Sequence, residues 1–208
     1  RIVRMRMRPM SLFESRDSSG QVSLCDMFSG KDISAIDDHC IEDIAFMICR
    51  GGWPAALNHS EKVALRQAFD YYDAVINDDI SRADGVKRNP ERTKHVMRSY
   101  ARNVSTQVSL ETIRTDLISN DIETFDKETL YSYLNALKRI LVIEDSPAWN
   151  PNLRSKTAIR TSDTRYFVDP SVATAALGIG PVDLINDLEL MGLIFENLCV
   201  RDLRVYAE

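Results

Sequence analysis

Four sets of residues in this 208-residue chain have types and spacings that could do chemistry. The first is cationic. Lys127, Tyr131, Ser132, Asn135, Lys138 and Arg139 lie along one stretch, and Arg154, Lys156, Arg160 and Arg165 follow it. On a helix facing nucleic acid, Asn can read adenine while Lys and Arg neutralise phosphates. The second is acidic: Asp70, Asp73, Asp78 and Asp79 suggest a two-metal or acid/base cluster. Asp70 and Asp73 share a helical face, but Asp78 and Asp79 fall about two turns on and no His accompanies them, so a solvated acidic face is expected. The third is Cys25, His39, Cys40 and Cys49, whose spacing matches no zinc pattern. The fourth is Arg50-Gly51-Gly52-Trp53-Pro54, either a ligand loop or a tight helical corner. The corner is expected, with Trp53 packed inward, because Gly supplies unusual backbone angles and Pro cannot continue a helix.

Other chemistries fail on the residues they require. The phosphate loop GxxxxGK[ST] is absent. Gly178-Ile179-Gly180 is no dinucleotide fingerprint, since Pro181 follows directly and position 183 is Asp. There is no nucleophile elbow, and His39, His59 and His95 have no evident Ser or Cys partner. No complete active site, metal or cofactor is therefore assigned within these residues.

The elements that must position the cationic set are legible from periodicity. Ser109 caps a helix with Leu110, Ile113 and Leu117 on one side, and Asn120-Asp121 breaks it. Asp126 caps a second, with Leu130, Tyr133, Leu134, Leu137 and Leu141 inward and the cationic residues outward. Leu141-Val142-Ile143 and Tyr166-Phe167-Val168 read as two short strands. Trp149 to Lys156 forms a turn-rich tip between them. Two helices and a two-stranded wing make a winged helix, preceded by a helix that Asn89-Pro90 starts and that turns Met97, Tyr100, Ala101 and Val104 inward.

Upstream, Ile2 to Met10 alternates as an edge strand, with Arg4, Arg6 and Arg8 on one face, solvated or in contact with an anion. Ser11 to Gly30 is a connector with room for one helical turn. Ile41, Ile44, Ala45, Ile48 and Cys49 form a buried stripe, and a longer helix from Ser60 buries Leu65, Ala68, Tyr72, Val75 and Ile76. After Asp169-Pro170 a helix reaches Leu177. A last segment opened by Pro181 carries Leu184, Leu188, Met191, Phe195, Leu198 and Cys199 at helical spacing.

The expected fold class is therefore mainly α: a helical bundle followed by a winged helix with a small β-hairpin and C-terminal helices. Composition suits a globular protein, 44% hydrophobic and 27% charged, with 26 Lys and Arg against 31 Asp and Glu for a net charge of -5. That acidic balance argues against non-specific nucleic-acid coating and leaves room for a local basic patch. No run approaches the roughly 20 apolar residues of a membrane span, and no signal peptide is evident. Four scattered cysteines without CxxC suit the reducing cytoplasm. The chain begins at Arg1 rather than Met and stops in a helical segment, as a piece of a longer protein would.

Arg50-Gly51-Gly52-Trp53-Pro54, Tyr71-Tyr72 followed by Asp79-Ile80, Ser132-Tyr133-Leu134 through Leu137, Tyr166-Phe167-Val168-Asp169 and Phe195-Glu196-Asn197-Leu198 occur in that order. Together they resemble the uncharacterised C-terminal region that follows a AAA-type P-loop ATPase module in many bacterial and archaeal proteins. The resemblance covers nearly the whole chain. It implies that residues 1–30 are the end of the ATPase module and a connector, 31–88 a helical subdomain, 89–169 the winged helix, and 170–208 the start of a truncated restriction-endonuclease-like domain. Glu196 would match that domain's helical acidic residue. ATP and Mg would belong to the parent protein's module. The implied function is a regulatory region contacting DNA through Lys127, Tyr131, Asn135, Lys138, Arg139, Arg154, Lys156, Arg160 and Arg165. The alternative is an interaction scaffold packing on the ATPase module or on another copy.

Overall fold

In a computed structural model of the chain, residues 6–119, 125–148 and 162–207 are described. Their architecture is a bundle of helices around one short helix buried from Pro170 to Ala176. The elements are α1 (Leu24–Phe28), α2 (Ile41–Arg50), α3 (Glu61–Ala74), α4 (Ile80–Arg82), α5 (Pro90–Arg102), α6 (Leu110–Ser119), α7 (Lys127–Arg139), α8 (Pro170–Leu177), α9 (Pro181–Asn186) and α10 (Leu188–Ala207). A π-helical turn, Val75–Asp79, joins α3 to α4 and keeps Val75, Ile76 and Ile80 all inside.

The hub is α8. Its residues Pro170 to Ala176 are all buried, and it packs against α2, α3, α5 and α10. Small side chains explain how it fits: Ser171, Ala173, Thr174, Ala175 and Ala176 let four helices approach one axis. Asp169 starts it by accepting the Ser171 backbone N–H at 2.9 Å, and Gly178 ends it in the left-handed conformation, φ 74°.

Most helix boundaries follow their caps. Asn89 accepts the Arg92 N–H at 3.1 Å, with Pro90 in the first helical position, and Asp126 accepts that of Thr129 at 2.6 Å. The stripes of α5 and α7 are buried as their spacing predicts, through Met97, Tyr100, Ala101, Val104, Leu130, Tyr133, Leu134 and Leu137. Leu141 is an exception. It lies beyond the end of α7, at φ 57° and half-exposed.

The expectation of a winged helix with a β-hairpin is wrong. The described residues contain no strand, only the isolated bridges Gln107–Thr164, Ile143–Phe167 and Ser146–Thr164. The two runs meet only at single bridges, where Glu144 donates its N–H to Tyr166 O at 2.9 Å and Val168 donates its N–H to Val142 O at 3.0 Å. Val142, Ile143 and Phe167 are drawn into the core, each 1% exposed, while Leu141 stays outside it. On the edge turned away from Ile143, the side chain of Asn197 takes both backbone groups of Phe167: Phe167 N–H donates to Asn197 Oδ1 at 3.0 Å, and Asn197 Nδ2 donates to Phe167 O at 2.8 Å. A second correction concerns the N-terminal segment, where residues 6–10 form no strand and Arg6 and Arg8 converge on Glu144.

Candidate functional site

The Arg50-to-Pro54 motif is a corner that locks the bundle. Gly51 takes φ 72° and ψ -176°, a region essentially reserved for Gly. Gly52 donates its N–H to Asp169 Oδ2 at 2.8 Å and accepts the Met10 N–H at 2.8 Å. Trp53 turns inward against Tyr71, ring centroids 4.4 Å apart, and its indole N–H donates to Ser171 Oγ at 2.8 Å. Arg201 closes the network from α10, pairing with Asp169 at 3.1 Å and with Asp202 at 2.7 Å. Asp202 then accepts the Leu12 N–H at 2.9 Å, and Arg50 holds Asp17 at 2.6 Å. Arg50 to Pro54 and Asp169 thus meet in one buried polar network that ties the N-terminal segment, α2, α8 and α10 together. It leaves no open space for a ligand at the Gly pair.

The cationic set is divided. Lys127, Tyr131, Asn135 and Arg139 face solvent on α7, with Lys127 stacked over the Tyr131 ring. Ser132 is tied to Arg88, which donates to its Oγ at 3.0 Å. Lys138 pairs with Asp145 at 2.7 Å. Arg165 is buried, pairs with the same Asp145 at 2.7 Å and donates to Val108 O, so it forms no part of an exposed wing. Arg154, Lys156 and Arg160 lie outside the described residues. Between α6 and α7 a shallow pocket of about 420 Å³ gathers Glu111, Lys127, Tyr131, Asn135, Lys138 and Asp163, a surface of mixed sign.

Beside this face, Glu144 sits under three guanidinium groups. Arg6 reaches it at 2.5 Å, Arg8 at 2.7 Å and Arg204 at 3.7 Å. Burial opposes its charge, but Arg8, Arg204 and Arg6 together hold the carboxyl below its ordinary value. A depressed carboxylate contributes stability that is present above its unfolded pKa, about 4.3, and lost as pH falls through the folded one. Glu144→Gln is therefore expected to flatten the acid side of a melting-temperature profile, most clearly below about pH 4.5.

The remaining candidate residues carry less chemistry. Asp70 pairs with Arg66 at 2.8 Å, and Asp78 and Asp79 lie near Arg82, all on a solvated face. Burial pushes the Cys49 thiol up to about 12, whereas Cys25 and Cys40 are exposed rather than buried. Glu196 is exposed and accepts the Tyr166 hydroxyl at 2.5 Å. Among the described residues no helix is long and apolar enough to cross a membrane.

An apolar groove of about 690 Å³, which motif reasoning missed, runs between the N-terminal segment and α10. Leu12, Phe13 and Val22 form one wall, and Phe195, Leu203 and Tyr206 the other. The Phe13 ring lies against Gly20, where an added Cβ would come within 2.5 Å of it. Both walls are anchored through Asp202, by the Leu12 N–H and by Arg201. The signal for the groove was in α10 itself, which is apolar on more sides than one neighbouring layer can cover. Met191, Ile194 and Leu198 take the inner side; Leu188, Phe195 and Leu203 are left outside.

No curated protein and no solved structure matches the chain. A family model does match, over residues 41–183, and it is described as a domain of unknown function, DUF8612. The matched stretch opens at α2 and ends within α9, so it holds the glycine corner, Asp169 and the α7 face, while both walls of the apolar groove lie outside it. Since the match spans well over half of its residues, the chain belongs to the DUF8612 family.

Proposed function

We propose that this region is a helical interaction module serving a AAA-type ATPase, and that the apolar groove between the N-terminal segment and α10 receives a protein surface. One observation carries the reading: Phe13, Val22, Phe195, Leu203 and Tyr206 surround a single groove while remaining 42–56% exposed. Contiguous apolar surface of this kind mostly marks contact sites, and aromatic side chains anchor such contacts because they bury large area at small entropic cost. The ordered motifs that resemble the region after a P-loop module support an accessory role. ATP and Mg would then act in that module, and the occupant of the groove would be the module's own surface.

Sedimentation velocity at rising concentration, on the chain alone and mixed with that ATPase module, tests the reading. A complex in the mixture is expected, and Phe195→Asp or Leu203→Asp should weaken it at least about tenfold, the scale of one interface anchor. A dimer of the chain alone, broken by the same changes, would move the occupant to a second copy. Unchanged monomers in both experiments would overturn the reading.

DNA contact through α7 is the second reading, because Lys127, Tyr131, Asn135 and Arg139 stand free of the helical core. It is the weaker, since Asp145 engages both Lys138 and Arg165 and Arg165 is buried. Duplex titration at two salt concentrations separates the two. Binding that falls steeply with salt and is lost in Lys127→Glu/Arg139→Glu would establish DNA contact.

A further inference from the structure

A second groove, of about 490 Å³, shares no lining residue with the first. Its wall is α5, where His95, Arg98 and Arg102 stand three and four residues apart and so project on one side of the helix. All three are exposed. Its floor is apolar, made by Leu117 of α6, Leu177 and Ile179 at the end of α8, and Leu190 of α10. Arg102 pairs with Asp116 at 3.0 Å, whereas among the described residues no carboxylate stands within ion-pair distance of His95 or Arg98.

The chain as a whole is acidic, with a net charge of -5, whereas in this groove Arg102 takes up Asp116, the one lining carboxylate among the described residues, and Arg98 stands over the apolar floor as a surplus positive charge. Its complement has two properties at once. Apolar side chains must cover Leu177, Ile179 and Leu190, and a carboxylate must stand opposite Arg98, with a hydrogen-bonding group beside the His95 imidazole. We infer that this groove docks an acidic amphipathic helix of a partner protein, with its leucine-like face on the floor and its Asp or Glu residues along α5. Helix-in-groove recognition has this form, in which apolar anchors supply the binding energy and charge fixes orientation and partner choice. Nucleic acid would meet the cations but leave the floor uncovered.

The test is fluorescence anisotropy with a labelled helical peptide of Leu, Ala and Glu, its Leu residues at i, i+3, i+4 and i+7. One control replaces every Glu by Lys, and another replaces every Leu by Ser. The acidic apolar peptide should bind at least about tenfold more tightly than either control, and the preference should shrink as salt rises. Arg98→Glu should weaken its binding by about tenfold or more, and Arg98→Lys by no more than about threefold. Phe195→Asp should leave it unchanged, which separates this outcome from that of the α10 groove. His95→Glu, on the same exposed wall, replaces Arg98→Glu if circular dichroism shows the latter unfolded. Equal affinity for the Glu and Lys peptides, equal affinity for the Ser control, or a folded Arg98→Glu protein that binds as before would overturn the proposal. So would no binding up to about 1 mM peptide.

Discussion

Asp169→Ala should lower the melting temperature by about 6–20 °C, the largest effect expected from any single side-chain truncation in this chain. The carboxylate is fully buried and does three things at once. It accepts the Gly52 N–H at 2.8 Å, caps α8 through the Ser171 N–H and hydroxyl at 2.9 and 2.6 Å, and pairs with Arg201 at 3.1 Å. Truncation leaves a buried N–H without its acceptor, removes the cap of the central helix and leaves the guanidinium of Arg201 with Asp202 alone. Breaking a buried ion pair on one side costs about 3–5 kcal/mol, and in a domain of this size each kcal/mol is about 2–4 °C. Asp169→Asn keeps one acceptor oxygen, enough for either the Gly52 N–H or the Ser171 N–H, and turns an NH2 donor toward the other, so it should recover only part of the loss seen in Ala. Thermal unfolding followed by circular dichroism reads both. A loss below about 1 kcal/mol for Asp169→Ala would show that the network does not hold the corner.

Gly51→Ala should cost about 2–6 kcal/mol, from two causes that act together. At φ 72° and ψ -176° an L side chain is strained by about 1–3 kcal/mol before it touches anything. Its Cβ would then stand 2.3 Å from Ser171 Oγ and 2.4 Å from Asp169 Oδ1, atoms that hydrogen bonds already hold in place. The crowding part has a specific signature. Ser171→Ala removes the hydroxyl, so Gly51→Ala should be less damaging in that background, with a coupling of about 0.5–3 kcal/mol in a double-mutant cycle. Strictly additive losses would show that backbone strain alone is responsible. Gly192→Ala supplies the contrast. Gly192 lies inside α10 with nothing within 4 Å of its added Cβ, so the same substitution there should stabilise by about 0.4–1 kcal/mol.

These expectations recast the ordered motifs. Arg50 to Pro54, Tyr166 to Asp169 and Phe195 to Leu198 read as a family signature, and in the folded chain each supplies a buried hydrogen bond to a distant part of the chain. Asn197 serves the backbone of Phe167, Asp169 serves Gly52, and Tyr71 stacks on Trp53. Their spacing in the chain gives no hint of this, because each partner is contributed by a different helix.

The α7 face shows the same division. Its outward residues could be named from period and caps, since Leu130, Tyr133, Leu134 and Leu137 settle which side is buried. Whether the cations on that face keep their charge for a ligand was not legible. Asp145 holds Lys138 and Arg165 together, and Arg165 is buried against Val108. Likewise the stripe Leu184, Leu188, Met191, Phe195, Leu198 is continuous in sequence, but the chain breaks at Asp187 between α9 and α10. The inner layer then takes Leu184, Met191 and Leu198 and leaves Leu188 and Phe195 outside.

By itself the sequence determined where most helices begin and which side of most of them is apolar. Those properties depend on caps, Gly, Pro and side chains three or four residues apart, all of which are local. Only the tertiary structure decided that the apolar runs near 142 and 167 meet at single bridges within a helical core and build no strand among the described residues, that Arg165 is buried against Asp145, and that α10 keeps an uncovered apolar side. Each of these depends on which distant group arrives first within hydrogen-bonding or packing range, and no spacing within one element encodes that.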